Sequence, residues 1–259
     1  MARLVIVIKA LILLLSGLML ASESLAAAST WWQTEHGKVR LIASSSATGN
    51  SNVILFGLQF RMKPGWKIYW RSPGDAGYPP SPDWADSKNV GDAHLLWPAP
   101  HRFSVLGLQT MGYTDEVVLP VVVAPFEIGK SIRLAGQLRY LTCEKICIPY
   151  EAKLALNLPA GPETSSLQSG IIKRFLQRVP GTNEHSGLQI MRVTVEGSPP
   201  TQALRLSVIA DTPLASPEVF VEGPSGMGFG VPEIRLNADH RSAQILISVS
   251  TPKGEPTDL

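Results

Sequence analysis

The feature that most limits the possible folds is a series of short segments rich in β-branched and aromatic residues, each bounded by turn residues. The stretch PGWKIYWRSPGDAGYPPSPDW within this series holds too many prolines and glycines for a long helix. Many short strands without alternating helices predict an antiparallel β-sandwich and not a parallel α/β sheet. The predicted strands of this part of the chain are residues 38–43, 53–62, 67–71, 117–124, 132–140 and 153–158.

The aromatic residues divide the chain into two parts. All 6 tryptophans and all 5 tyrosines lie before residue 151. The sequence Pro159-Ala160-Gly161-Pro162 coincides with this change, and its composition is typical of a linker. We therefore predict a first β domain over residues 29–160 and a second, smaller and incomplete β domain over residues 185–259, joined by a linker over residues 161–184.

The linker is predicted to contain a helix over residues 165–179, preceded by serines and ended by Pro180 and Gly181. Helical spacing would place six apolar residues on one face, which is typical of a helix packed on a domain. These residues are Leu167, Ile171, Ile172, Phe175, Leu176 and Val179.

The second β domain has about five predicted strands: residues 188–196, 203–209, 219–222, 233–236 and 243–250. The stretch GPSGMGFG lacks the Gly-Lys-Ser/Thr ending of a phosphate-binding loop, so a β-turn is predicted there. A sheet of this size leaves an edge exposed. Either the chain is a fragment of a longer protein, or a partner supplies the last strands.

Residues 1–26 have the pattern of a secretory signal peptide. Arg3 and Lys9 lie at or near the start of an apolar run, and Ser24-Leu25-Ala26 offers small residues for cleavage. An uncleaved N-terminal membrane anchor is the alternative, because the run approaches the length of a spanning helix. We predict an exported protein that resides in the periplasm, a compartment in which disulfides persist.

The charge balance gives no reason to expect a polyanionic ligand. The formal net charge is only +2, so neither nucleic acid nor anionic lipid is a predicted partner. The chain has no Gly-x-Ser-x-Gly nucleophile motif, and no cofactor is predicted.

The chemistry is predicted to depend on the only two cysteines, Cys143 and Cys147, in the stretch LRYLTCEKICIPYEA. Two cysteines in an exported chain favour a disulfide. Four residues of extended strand span about 13 Å, whereas bonded cysteines need Cα atoms roughly 4.4–6.8 Å apart. A bond therefore requires a tight loop or one helical turn over residues 142–146, between a strand that ends at Tyr140 and one that begins near Lys153.

Three roles remain open for this pair: a structural bond, a metal clip and a redox pair. A bond across so short a loop contributes about 2 kcal/mol, against about 4.7 kcal/mol for a 100-residue loop, which favours redox chemistry modestly. Two thiolates suit Cu(I), with methionine as a further ligand. No metal site is predicted, because the histidines show no ligand spacing and the methionines are scattered: Met62, Met111, Met191 and Met227.

Four motifs resemble, in the same order, the N-terminal periplasmic domain of the DsbD/ScsB protein-disulfide reductases: FRMKPGWKIYWRSPGDAGYPPSPDW, LLWPAP, GYTDEVVLPVVV and LRYLTCEKICIP. The similarity covers about residues 30–160 and is greatest to the ScsB-like, copper-tolerance-associated branch. It implies an all-β chain with an immunoglobulin-like sandwich that carries a redox cysteine pair. In this family the pair takes electrons from a membrane-embedded donor of the CcdA/DsbD type and passes them to periplasmic thioredoxin-like proteins.

The resemblance places the exchange pair at Cys143 and Cys147. Residues 101–107 match a loop that caps the disulfide in the family, with Phe103 as the shielding residue, or Leu106 if the alignment shifts. Aromatic positions that would wall the site match Tyr69, Trp70, Tyr113 and Tyr140.

The sequence also departs from DsbD. The cysteines of DsbD are further apart, the acidic residues of its cap loop have no clear counterpart in HRFSVLG, and its membrane and thioredoxin-like domains are missing from this chain. Either a separate protein supplies the electrons, or the chain is a truncated copy. Lys145 could stabilise a thiolate and Glu144 would oppose it, although a solvent-facing turn is the simpler interpretation of both.

Overall fold

The computed structural model describes residues 27–105, 107–181, 187–198, 201–224 and 226–250, so the predicted signal peptide lies outside the described residues. Helix α1 (Ser169–Leu176) lies between the strand that ends at Leu158 and the strand that begins at Leu188. The strands that these residues form are, in chain order, β1 (Trp32–Gln33), β2 (Gly37–Ala43), β3 (Ile54–Met62), β4 (Lys67–Gly74), β5 (Ser81–Asp83), β6 (Asp92–Leu95), β7 (His101–Val105), β8 (Leu108–Thr114), β9 (Glu116–Ala124), β10 (Ile132–Cys143), β11 (Cys147–Leu158), β12 (Leu188–Ser198), β13 (Thr201–Ala210), β14 (Gly228–Phe229), β15 (Glu233–Leu236) and β16 (Ser242–Ser250).

Two antiparallel sheets of the first part pack face to face. One has the strand order β1-β2-β3-β9-β6, and the other has the order β11-β10-β4-β8-β7 with β5 paired to β10. The side chains between them form the main core, in which Leu58, Leu119 and Leu134 are fully buried. The predicted all-β chain with an immunoglobulin-like antiparallel sandwich is therefore confirmed. Within the described residues, none of the helices is long and apolar enough to span a membrane.

The remaining strands form a third sheet with the order β12-β13-β16-β14, in which β15 also pairs with β16. Val208, Ala243, Ile245 and Ile247 form its small core, here called the second core. Within the GPSGMGFG stretch, predicted to be a β-turn, the Met227 amide donates to the Pro224 carbonyl at 3.2 Å, Gly228–Phe229 form β14, and Ser225 lies outside the described residues. The prediction of a strand at residues 219–222 is wrong, because this segment packs between the two cores and is not paired in a sheet.

Helix α1 is shorter than predicted, and it is anchored to the sandwich by the side chains of Ile172 and Phe175. The Ser166 hydroxyl donates to the Ala43 carbonyl at 2.6 Å, which holds the preceding chain against β2 and delays the start of the helix. Ile172 and Phe175 are buried against the main core. Leu167, predicted on the same apolar face, lies before the helix and is 85% exposed.

Phe175→Ala is expected to destabilise the protein by about 3 kcal/mol, because it removes a large buried side chain and leaves a cavity. Urea unfolding, followed by tryptophan fluorescence, measures this change. Leu167→Ala is the matched control and should shift the unfolding midpoint little, since Leu167 is exposed. Equal effects of the two substitutions would contradict the packing of α1 on the sandwich.

Candidate functional site

The cysteine pair closes a long β-hairpin made of β10 and β11. The register runs without a break from Ile132 opposite Leu158 to Cys143 opposite Cys147, and residues 144–146 form the loop. The prediction that the strands end at Tyr140 and begin again near Lys153 is wrong, because both strands continue to the cysteines. Pro149 is tolerated because β11 lies at the edge of its sheet, where a missing N–H leaves no strand unpaired.

Cys143 and Cys147 form a disulfide, with their Cα atoms 4.2 Å apart. They are cross-strand partners, so the chain turns as the sequence requires, through a three-residue loop. Their surroundings differ, because Cys143 is 0% exposed whereas Cys147 is an exposed residue. A partner molecule can therefore approach Cys147, while Cys143 is held in the protein.

Strand β4 brings a hydroxyl group to both sulfur atoms. The hydroxyl of Tyr69 donates to Cys143 Sγ at 3.0 Å and lies 3.5 Å from Cys147 Sγ. Tyr69, Leu141 and Cys143 form a small buried cluster apart from the main core. Burial raises the pKa of Tyr69, so the hydroxyl keeps its proton and remains a donor at neutral pH.

The position of the Tyr69 ring is fixed by Gly77, whose backbone has a positive φ of 98°. A Cβ atom at this residue would lie 2.4 Å from the ring of Tyr69. Only glycine permits both this backbone conformation and the close approach of the ring. The PGDAGYPP segment therefore contributes to the site because its Gly77 packs against the ring of Tyr69.

Lys67 is a basic residue of the site that the sequence analysis missed. It lies two residues before Tyr69 in β4 and pairs in register with Cys143. Its side chain is mostly buried, and this burial lowers the pKa of the ammonium group, while the negative charge of Glu144 raises it. The period of two along a strand, counted from Tyr69, is the signal that could have identified it.

Phe103 lies in β7, next to Lys67. The ammonium nitrogen of Lys67 is 5.5 Å from the centre of the Phe103 ring, a cation–π arrangement. Residues 101–107, matched to a cap loop, are mostly strand: β7 pairs with β8, which in turn pairs with β4. Leu106, the alternative shielding residue, lies outside the described residues.

The other predicted wall residues lie in the main core. Trp70, Tyr113 and Tyr140 are all buried there. Trp70 follows Tyr69 directly, so the alternation of a strand turns it to the opposite face. The Tyr113 hydroxyl donates to the Pro98 carbonyl at 2.7 Å, and Tyr140 packs edge-on against Phe60. Of the four predicted aromatic residues, the structure thus brings Tyr69 to the disulfide.

The turn between the cysteines is solvent-exposed. Glu144, Lys145 and Ile146 are all exposed, and the amide of Glu144 donates to the carbonyl of Ile146 at 3.1 Å. The side chain of Glu144 lies against Gly65, where a Cβ atom would come within 3.0 Å of Glu144 Oε1.

The described residues contain no group of three or more His, Cys, Asp or Glu side chains arranged to hold an ion. Met62 and Met111, two of the methionines considered as Cu(I) ligands, pack in or against the main core and are not part of the cluster with Cys143.

Residues 38–159 match the family model described as thiol:disulfide interchange protein DsbD, N-terminal. The chain therefore contains a thiol–disulfide exchange module. Residues 178–259 match a second family model, a domain of unknown function (DUF8393).

The structure is similar to a solved structure described as the N-terminal periplasmic domain of ScsB from Proteus mirabilis, with a TM-score of 0.69 and 28% sequence identity. The match covers 90% of this chain and 89% of that one. The predicted resemblance to the DsbD/ScsB family is confirmed. A search of curated proteins found no match.

Proposed function

We propose that this chain is a periplasmic protein-disulfide reductase module that relays electrons through the Cys143–Cys147 pair. The donor is a membrane-embedded protein of the CcdA/DsbD type, and the acceptors are periplasmic thioredoxin-like proteins. The match of residues 38–159 to the DsbD N-terminal family model and the similarity to a periplasmic domain of ScsB support this function. The proposed domain arrangement is a redox sandwich at residues 29–160, a linker with a helix, and a second β domain.

The observation that carries the proposal is the unequal exposure of the two cysteine residues. Cys147 is exposed, whereas Cys143 is buried and accepts a hydrogen bond from Tyr69. A thiolate is the leaving group when a disulfide is attacked, and a hydrogen bond to the charged sulfur stabilises it. The pair is therefore arranged for attack at Cys147 and departure of Cys143.

The electrons move in two exchange reactions. A donor thiolate attacks Cys147 Sγ, the bond to Cys143 breaks, and Cys143 leaves as a thiolate. The second donor thiolate then attacks the donor sulfur of the mixed disulfide, which releases Cys147 and leaves the donor oxidised by two electrons. In the reverse sense, the Cys147 thiolate attacks an acceptor disulfide, and Cys143 resolves the mixed disulfide and reduces the acceptor.

A purely structural bond is the competing role, and the fold argues against it. The bond joins residues that already face each other at the end of a hairpin with a continuous register. Its loop is so short that constraint of the unfolded chain contributes only about 2 kcal/mol. The main core of the sandwich is extensive and does not include the cysteines.

A redox titration of the purified protein tests the proposal. The protein is equilibrated in dithiothreitol or glutathione buffers, free thiols are trapped with a mass tag, and circular dichroism follows the fold. We expect reversible opening at a potential above roughly −300 mV, below which structural bonds usually lie. The Cys143→Ser/Cys147→Ser double variant sets the baseline of the mass tag. A bond that stays closed until the protein unfolds would overturn the enzyme function and favour a stapled binding domain.

A further inference from the structure

Strand β12 (Leu188–Ser198) lies at the edge of the third sheet. Among the described residues, β13 is the only strand that pairs with it. On the other side of β12, the backbone N–H and C=O groups of residues 192–196 therefore face no strand in this part of the chain. An unpaired edge of this kind is a template for pairing with another strand.

The edge strand is also apolar. Four of its large apolar side chains are 41–58% exposed: Ile190, Met191, Val193 and Val195. In the register with β13, Val193 and Val195 lie opposite leucines that pack against the second core, so they continue its apolar face to the edge of the sheet. A group of exposed apolar side chains on one strand indicates a surface that another chain covers.

A bulge limits the part of the edge that can pair regularly. The register with β13 shifts between Ile190 and Arg192, whereas from Arg192 to Ser198 it runs without a break. Gly197 has a positive φ of 82°, so the regular extended backbone ends at Glu196. Bulges at sheet edges oppose pairing locally. The segment open to another strand is therefore residues 192–196.

The sequence of this segment, RVTVE, is complementary to itself in an antiparallel pair. When two copies pair about Thr194, Arg192 of each copy lies opposite Glu196 of the other, and Val193 lies opposite Val195. Moving the axis by one residue in either direction places both charged residues opposite uncharged ones. Charge and apolar pattern thus favour one register.

The two charged side chains are available for this contact. Arg192 is exposed and makes no hydrogen bond or ion pair with other described residues. Glu196 accepts hydrogen bonds from Arg205 of its own chain at 2.6 and 2.9 Å. These bonds lower the pKa of Glu196, so its carboxylate is charged at neutral pH. A carboxylate offers about four lone-pair sites, which leaves room for a second guanidinium group.

We propose that β12 is a self-association edge, at which two copies of this chain pair antiparallel about Thr194 and join their third sheets into one. The contact uses the same five residues of each copy, so it is symmetric and association stops at the dimer. Because so short a contact buries little surface, the dimer is weak and transient. This inference does not depend on the chemistry of the cysteines.

Sedimentation equilibrium of the purified protein, from about 1 μM to 1 mM, tests the inference. The mass should rise from that of a monomer to that of a dimer and stop there. Arg192→Glu and Glu196→Arg should each weaken dimerisation about tenfold, because like charges then face each other at both ends of the contact. Arg235→Glu is the matched control, since Arg235 is an exposed arginine on β15 of the same sheet and should have no effect.

Mixing the two variants separates pairing in this register from general damage to the strand. One variant carries two acidic side chains on the edge and the other carries two basic ones, so both positions are complementary only in the mixed dimer. The equal mixture should therefore recover the association of the unsubstituted protein. A monomer at the highest concentration, growth beyond the dimer, or a mixture as weak as its components would overturn the inference. The Cys143→Ser/Cys147→Ser variant should dimerise normally, and a dimer that requires the cysteines would also overturn it.

Discussion

Cys143→Ser is expected to accumulate a mixed disulfide with a thioredoxin-like protein, at about ten times the level formed by Cys147→Ser. The physical reason is the exposure of the two residues. The Cys143→Ser variant keeps the exposed Cys147 as the attacking thiolate but has no second thiol to resolve the product. The Cys147→Ser variant keeps only Cys143, which is fully buried and cannot easily reach a partner.

The measurement uses an oxidised thioredoxin-like protein with its disulfide intact: the Cys147 thiolate attacks this bond, the partner's second sulfur leaves as a thiolate, and acid quenching followed by alkylation traps the mixed disulfide. Each variant is incubated with this protein, and the products are separated on a non-reducing gel and identified by mass. The double variant without cysteines is the control for non-covalent capture. Equal trapping by the two single variants would contradict the assignment of Cys147 as the residue that meets partners.

Tyr69→Phe is expected to slow reduction of the disulfide by dithiothreitol about tenfold, because it removes the donor to the leaving sulfur and keeps the ring. A hydrogen bond to a charged acceptor contributes roughly 1.5–3 kcal/mol. Its loss should therefore raise the pKa of the Cys143 thiol, because the thiolate loses a stabilising donor. A higher pKa makes Cys143 a poorer leaving group.

The pKa of Cys143 is measured from the pH dependence of alkylation in Cys147→Ser, with and without Tyr69→Phe. Tyr113→Phe is the matched control, because its hydroxyl is also buried but donates to the Pro98 carbonyl in the main core. This control should lower stability without changing the thiol pKa or the reduction rate. If Tyr69→Phe behaved like Tyr113→Phe, the hydroxyl of Tyr69 would have no part in the exchange reaction.

The strand pattern predicted the sandwich well because the hydrophobic pattern of each strand can be recognised from residues that are neighbours in the sequence. Strands β2, β3, β9 and β10 bury runs such as those around Leu41, Phe60 and Val121, which identify them without knowledge of their partners. Strands β5 to β8 were not predicted, since they lie among prolines and glycines that usually mark loops. Their extended conformation depends on pairing with distant strands.

The candidate site could be predicted only in part from the sequence, because it too depends on pairing between distant strands. The cysteines and the family motif identified the pair, but the role of Tyr69 depends on the pairing of β4 with β10, across about 75 residues of sequence. Both Tyr69 and Trp70 were predicted to wall the site, but strand alternation lets only one of them face the sulfur atoms, and the register of β4 decides which. Lys67 was missed because nothing local marks a strand lysine as the neighbour of a cysteine.

The β10–β11 register has a consequence for how much the oxidised and reduced forms of the protein differ in structure. Because Cys143 and Cys147 already oppose each other at the end of a paired hairpin, making or breaking their bond requires little movement of the backbone. The oxidised and reduced forms should therefore share one shape, and reorganisation should add little to the barrier of each turnover. Partner proteins must then distinguish the reduced form from the oxidised form by whether Cys143 and Cys147 carry thiols or a disulfide.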